Sequence, residues 1–181
     1  YIKSYVCYEP MESLKKEIYK KAYITGEFML RSGQISNEYF DKYQFESDPI
    51  TLNQIADAIV KILPNDFDLL GALEMGGIPI ATLISHKTKI PMVMIRKQAK
   101  KYGTAKLAEG PDIKGKKILL IEDVVTSGGQ IIESTKELRE LGAIIDKAIC
   151  VIDRESSGKE NLQNHGIVLT PLFTMSELKD A

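Results

Sequence analysis

Ile118-Leu119-Leu120-Ile121-Glu122-Asp123-Val124-Val125-Thr126-Ser127-Gly128-Gly129-Gln130 passes from an apolar run through two acids into a hydroxyl-and-glycine turn. The order reads as strand, loop, helix. A run of Ile and Leu without polar alternation suits a strand buried on both faces, as in a parallel sheet. The strand is expected over 117–121, ending at the acids, and an amphipathic helix over 130–141. The glycines let the backbone approach a ligand closely. Thr126 and Ser127 offer hydroxyls, and the loop and helix start offer unpaired N–H groups, so the turn can cradle a phosphate. Two adjacent carboxylates would repel that phosphate and call for another partner. Vicinal ribose hydroxyls, or a magnesium ion bridging to them, would suit. The whole reads as a site for a phosphorylated ribose. An acidic pair alone would read as a solvated strand end; strand, acids, Thr-Ser-Gly-Gly and helix in that order favour a site.

The same alternation extends in both directions. Strands are expected at 67–73, 91–95, 144–152 and 167–172, with helices at 78–87 and 130–141 and short helical pieces after 152 and at the end of the chain. Residues 97–115 are polar, contain Gly103, Gly110, Pro111 and Gly115, and read as a long loop. Toward the start, Leu14, Ile18 and Ala22 mark an amphipathic helix over 12–23. Residues 26–46 look extended around a Ser32-Gly33 turn. Asp48-Pro49 supplies an N-cap and a first-turn proline for a helix running to about 63 and burying Ile55, Ile59 and Ile62. Short apolar strands alternating with helices define an α/β class, a parallel sheet flanked by helices on both faces. Ligands in such sheets bind outside the carboxyl ends of the strands. With no repeat, linker or low-complexity tract, 1–181 reads as one domain.

Composition removes several function classes. The chain has 181 residues, 44% hydrophobic and 27% charged, as in an ordinary soluble globular protein. Its 24 basic and 25 acidic residues leave a net charge of −1, which argues against a general nucleic-acid binder. No apolar run approaches the ~18–20 residues of a membrane helix. The opening residues carry no signal-peptide pattern, Met11 is a candidate natural start, and a cytoplasmic location is expected. Two cysteines and two histidines exclude a disulfide framework and a zinc cluster of the usual spacing. Cys150, inside Ala148-Ile149-Cys150-Val151-Ile152, reads as a buried small hydrophobe. Neither G-x-S-x-G nor G-x-G-x-x-G occurs. Gly110 to Lys117 nearly matches a P-loop, but Lys117 stands where Ser or Thr should hold magnesium, and the segment precedes a strand instead of following one.

With these residues in view, the chain resembles the type I phosphoribosyltransferases. The run 118–129 is similar to their phosphoribosyl-pyrophosphate (PRPP) motif. Three further segments resemble the orotate enzymes among them. Glu27-Phe28-Met29-Leu30-Arg31-Ser32-Gly33, with Ser36 and Tyr39-Phe40-Asp41, is similar to their N-terminal signature. Arg96-Lys97-Gln98-Ala99-Lys100-Lys101-Tyr102-Gly103-Thr104, running to Glu109-Gly110, resembles their mobile catalytic loop. Ile152-Asp153-Arg154 resembles their late strand. The likeness covers roughly 12–175. It implies the type I phosphoribosyltransferase fold, with an N-terminal helix and hood over about 12–46 and an α/β core over about 49–175. It also implies transfer of the phosphoribosyl group from PRPP to orotate, giving orotidine 5′-monophosphate and pyrophosphate in UMP biosynthesis, with Mg²⁺. A homodimer follows, in which loop 96–110 closes over the neighbouring site.

The resemblance also distributes roles. Arg96, Lys97 and Lys100 would stabilise the departing pyrophosphate, where cations favour the transition state over the ground state; a solvated basic loop is the plainer reading. Asp123 joins them as catalytic, and with Glu122 would hold the ribose hydroxyls. Val124, Val125, Thr126, Ser127, Gly128, Gly129 and Gln130 would form the phosphate loop, and Tyr102 would contact PRPP where relatives often carry His. No metal is expected to be held by the protein alone; Mg²⁺ would come through PRPP, with Glu122 and Asp123 as contacts. Orotate would meet Thr126, Arg154, Arg31 and Phe40. Phe40 reads equally as core packing, and Tyr39 and Lys42 are weaker candidates. Glu74-Met75-Gly76-Gly77 matches a pyrophosphate loop in which some relatives have Lys at the position of Gly76. The alternatives are a purine or uracil enzyme of the same type, or a non-catalytic regulator that keeps the fold. Purines offer no carboxylate to match Arg154, and the basic loop is complete.

Overall fold

The segment 117–125 forms the middle of a six-stranded sheet in the computed structural model, which describes residues 8–29, 33–98 and 107–181. In chain order the elements are α1 (Tyr8–Ala22), β1 (Tyr23–Met29), β2 (Ile35–Phe40), α2 (Tyr43–Glu46), α3 (Pro49–Val60), β3 (Leu69–Leu73) and α4 (Gly77–Thr88). They continue with β4 (Met92–Ile95), β5 (Ala108–Glu109), β6 (Lys117–Val125), α5 (Gly129–Glu140), β7 (Ile144–Asp153), α6 (Gly158–Asn164), β8 (Val168–Thr174) and α7 (Met175–Lys179). The large sheet has the order β5-β4-β3-β6-β7-β8, and β1-β2 make a separate hairpin. Every pairing in the large sheet is parallel except β4 with β5.

Side-chain alternation along β6 explains the layers. Ile118 and Leu120 enter a core shared with Ile131 and Leu138 of α5 and Leu162 of α6. Leu119 and Ile121 face a second core built from α1, α3, α4 and α7, through Ile18, Ile55, Ile59, Ile84 and Leu178. Both faces are thus covered, and truncating such a residue to Ala costs about 2–5 kcal/mol. Cys150 is fully buried in the first of these cores, as a small hydrophobe, and burial pushes its thiol pKa well up. The N-cap of α3 is as expected: the Asp48 carboxylate accepts from the Thr51 N–H at 2.8 Å, with Pro49 opening the helix.

Four boundaries differ from the sequence expectations. Strand β6 continues through the acids to Val125, because its ladder to β7 is main-chain: Glu122 pairs with Cys150, Val124 with Ile152 and Val125 with Asp153. Residues 43–46 are a helical turn, not extended chain; the turn buries Phe45 against Phe40, with ring centroids 6.4 Å apart. Ile62 is 39% exposed because α3 stops at Val60. The segment 97–115 contains β5, whose Ala108 pairs with Ile95. No helix among the described residues is long and apolar enough to cross a membrane.

The parallel strands all end on one edge of the sheet. There β3 leads into Glu74, β6 into Thr126 and β7 into Arg154. The hairpin joins directly to α1: the Asp41 N–H donates to the Ala22 carbonyl at 2.7 Å, and the Tyr19 and Tyr23 rings stack with centroids 5.0 Å apart.

Candidate active site

Two cavities open at that edge. The first, about 500 Å³, is lined by Glu122, the loop from Val124 to Gly129, and the first turns of α5. The second, about 550 Å³, is lined by Phe40, Thr126 and Arg154 together with residues of α1, the hairpin and α7. Thr126 lines both.

The first cavity owes its form to a sharp passage from strand to helix. Gly128 has φ 74°, a left-handed conformation that costs a residue with a side chain, and it lets α5 start one residue later. The first turn of α5 carries no acidic side chain and its N-cap, Gly128, has no side chain to cap it; only the Ser127 hydroxyl accepts there, weakly, from the Gly129 N–H at 3.5 Å, and Glu133 lines the cavity one turn further on. Its N–H groups therefore face the cavity as an anion site. Val124 to Gln130, all assigned to PRPP from sequence, line this space. The Val125 side chain also lies in the core, and its carbonyl accepts from the Arg154 N–H at 2.9 Å.

The acids behave less simply than the sequence suggests. Asp123 is 1% exposed and forms an ion pair with Lys42, and the Lys42 Nζ donates to its carboxylate. Glu122 is also buried, and its Oε1 accepts from the Asp123 N–H at 3.0 Å. Glu46, the last residue of α2, completes a cluster of three buried carboxyls; its Oε1 has no hydrogen-bond partner. Three carboxylates cannot all ionise in so small a buried space. Burial, then the neighbouring Asp123, pushes Glu46 up to about 9. Burial and the Asp123 charge likewise push Glu122 well up. Burial alone would raise Asp123 too, but hydrogen bonds from Glu122, Lys42 and Glu46 outweigh it and hold its carboxyl below the ordinary value. Of the three, Asp123 is therefore the carboxyl that keeps its charge, opposite Lys42. Against Asp123 lies Gly76, after a cis Glu74–Met75 peptide; a Cβ on Gly76 would fall on the Asp123 carboxylate.

Other sequence-assigned residues fall differently. Arg96 lines neither cavity: its Nε donates to the Glu109 carboxylate at 3.4 Å and its N–H to the Leu107 carbonyl at 2.9 Å. Lys97 is exposed and also lines neither. Lys100, Tyr102 and Arg31 lie outside the described residues. Lys42, a weak candidate for the base site, instead reaches Asp123, 81 positions away. Glu46 had no signal in the sequence. Nor had Glu38, which accepts from the Tyr23 hydroxyl at 2.7 Å in the wall of the second cavity, or Lys179 of α7.

Comparison with known proteins agrees with this geometry. A family model described as a phosphoribosyl transferase domain matches residues 43–172. An orotate phosphoribosyltransferase of Nocardioides sp. is 50% identical over 158 residues, covering 87% of this chain and 88% of that protein. One from Methanocella arvoryzae is 42% identical over 153 residues, covering 84% and 87%. The solved orotate phosphoribosyltransferase of Mycobacterium tuberculosis superposes with a TM-score of 0.83 at 23% identity, over 93% of this chain and 98% of that one, and so shares the fold. With a family match over residues 43–172 and half of its residues identical to one such enzyme along most of both chains, the chain belongs to the orotate phosphoribosyltransferases of the phosphoribosyl transferase family.

Proposed function

We propose that the chain transfers the 5-phosphoribosyl group from PRPP to orotate, releasing pyrophosphate and forming orotidine 5′-monophosphate in the cytoplasmic synthesis of UMP. The observation that carries this reading is Thr126, which lines both cavities, so that a donor in one and an acceptor in the other would share a wall. The C1–O bond to pyrophosphate breaks as a ring nitrogen of orotate bonds to C1, and orotate loses that nitrogen's proton. No nucleophilic side chain is required; the protein orients two substrates and stabilises charge.

In this reading the Thr126–Gly129 loop and the α5 N-terminus hold the 5′-phosphate. Glu122, in the wall of the first cavity, faces the ribose hydroxyls, and Asp123, which lines neither cavity, stands behind it on Lys42 and would reach them only by leaving that pair; Arg154 takes the orotate carboxylate while Phe40 packs on the ring. Arg96, Lys97, Lys100 and Tyr102 belong to the pyrophosphate end. Among the described residues no group of three or more His, Cys, Asp or Glu could hold a metal by itself. Of the two acids only Glu122 lines the phosphate cleft, with Asp123 paired to Lys42 behind it, and so sparse a protein donor set fits Mg²⁺ that arrives on a substrate, the usual manner for this ion. Bound there by PRPP and Glu122 or Asp123, Mg²⁺ would neutralise pyrophosphate charge. A homodimer in which loop 96–110 serves the neighbouring site, and a single domain over 1–181 with its hood over about 12–46 and its core over about 49–175, complete the reading.

The test is an absorbance assay of the protein with orotate, PRPP and Mg²⁺, with uracil, adenine and hypoxanthine in parallel. Orotate-specific, Mg²⁺-dependent turnover is expected. Turnover of another base would refute the base assignment, and none with any base would favour a regulator.

A further inference from the structure

The second cavity contains a cation that the sequence motifs do not assign. Arg154 and Lys179 both line it, from the end of β7 and from the last turn of α7. Neither side chain has an ion-pair partner among the described residues. The acidic side chain in the wall, Glu38, already accepts a hydrogen bond from Tyr23. With Glu38 turned to Tyr23, the wall carries two positive side chains against one negative in a space of about 550 Å³, and that surplus favours an anionic acceptor over a neutral one.

The backbone that carries Lys179 is held by its neighbours, while the Lys179 side chain itself is exposed. Leu178, its neighbour, is fully buried in the core beneath α1. Thr174 and Glu177 close a reciprocal cap at the start of α7. The residue after Arg154 also anchors the helix: Glu155, at φ 54°, accepts from the Ser176 N–H at 2.7 Å and from its hydroxyl. The Glu155 N–H in turn donates to Asp153 at 2.9 Å. The strand end that presents Arg154 and the helix that presents Lys179 are therefore tied together, and both cations are carried on one braced unit.

Resting on the orotate reading above, we propose that Lys179 is a specificity-determining residue of the acceptor site, pairing with the carboxylate of the base alongside Arg154. Lysine supplies this as a point charge on a flexible stem, next to the planar fork of arginine.

The experiment compares wild type, Lys179→Met and Lys179→Arg. It measures KM for orotate, KM for PRPP and kcat, and also inhibition by orotate methyl ester, which keeps the ring and loses the charge. Lys179→Met is expected to raise KM for orotate about tenfold, as for loss of a charge-assisted contact. KM for PRPP, kcat and ester inhibition should hold within about twofold, and Lys179→Arg should recover most of the loss. An unchanged KM for orotate in Lys179→Met, or an equal loss of acid and ester binding, would overturn the proposal while leaving the functional reading intact. A wild-type protein that does not use orotate would overturn the functional reading itself, and this proposal with it.

Discussion

Glu46→Gln should make the unliganded protein more stable at alkaline pH and leave it nearly unchanged at pH 5. The Glu46 carboxyl is 7% exposed, lies beside Asp123, Lys42 and Asp41, and is held up at about 9 against an ordinary 4.5. Between those values the unfolded chain has released the proton and the folded chain retains it. Stability from this group is therefore complete below pH 4.5 and falls as pH rises through the window to about 9. Each pH unit is worth about 1.4 kcal/mol, so the ceiling at pH 8 is about 5 kcal/mol. Lys42 and Asp123 share the proton's energetics, which brings the expected loss to about 1–3 kcal/mol. Gln has the same shape, stays neutral, and can donate to Asp123 as the protonated acid does. Thermal unfolding at fixed protein concentration and pH 5, 6.5, 8 and 9 measures the difference. The variant should gain about 3–8 °C at pH 8 to 9. Parallel pH profiles, or a variant less stable than wild type at pH 8, would show that Glu46 is ionised in the fold and refute the one-charge account of the acid cluster.

Three other outcomes follow from the site. Gly76→Ala should fold and lose most activity, with KM for PRPP rising, since its Cβ would displace the Asp123 carboxylate; activity within about twofold of wild type would show that Asp123 can be moved freely. Gly128→Ala should lose about 1–2 kcal/mol on urea unfolding, because φ is 74° and Leu162 lies 3.0 Å from the new methyl, whereas Gly129→Ala, with only the Ser127 hydroxyl at 3.6 Å, should be neutral; equal effects would refute the strain argument. Lys100→Ala should lower kcat at least tenfold with the melting temperature unchanged, as for a cation that acts on departing pyrophosphate; an unchanged rate would take it out of the reaction.

What could be read from the sequence depended on what each residue does there. The β6 run was legible because a strand buried on both faces has no choice but to be apolar. Its true end was hidden, because Glu122 and Asp123 look like solvent-facing residues while their backbones continue the ladder to β7. The four residues of α2 are too few for any period, and what defines them is Phe45 packing into the core. The run 124–130 is contiguous, so the residues that line the first cavity could be read together. The Lys42–Asp123 pair spans 81 positions, and only the fold brings it together. Lys179 lay beyond the motifs for the same reason: a lone lysine near an amphipathic turn gains meaning from the strand end it stands beside.

The division of labour between the cavities bears on how such a catalyst could change its substrate. The first cavity, proposed above for the donor, is made almost entirely by one contiguous loop on the central strand, whereas the second, proposed for the acceptor, draws on α1, the hairpin and α7 as well as on Thr126 and Arg154 at the strand ends. Acceptor preference can therefore drift by substitution at positions such as 23, 38, 40 and 179 without touching the chemistry of the donor. Thr126 is the exception, being common to both. Directed evolution toward a new base should accumulate changes around the rim and leave Thr126 alone, because a mutation there would have to satisfy two selections at once.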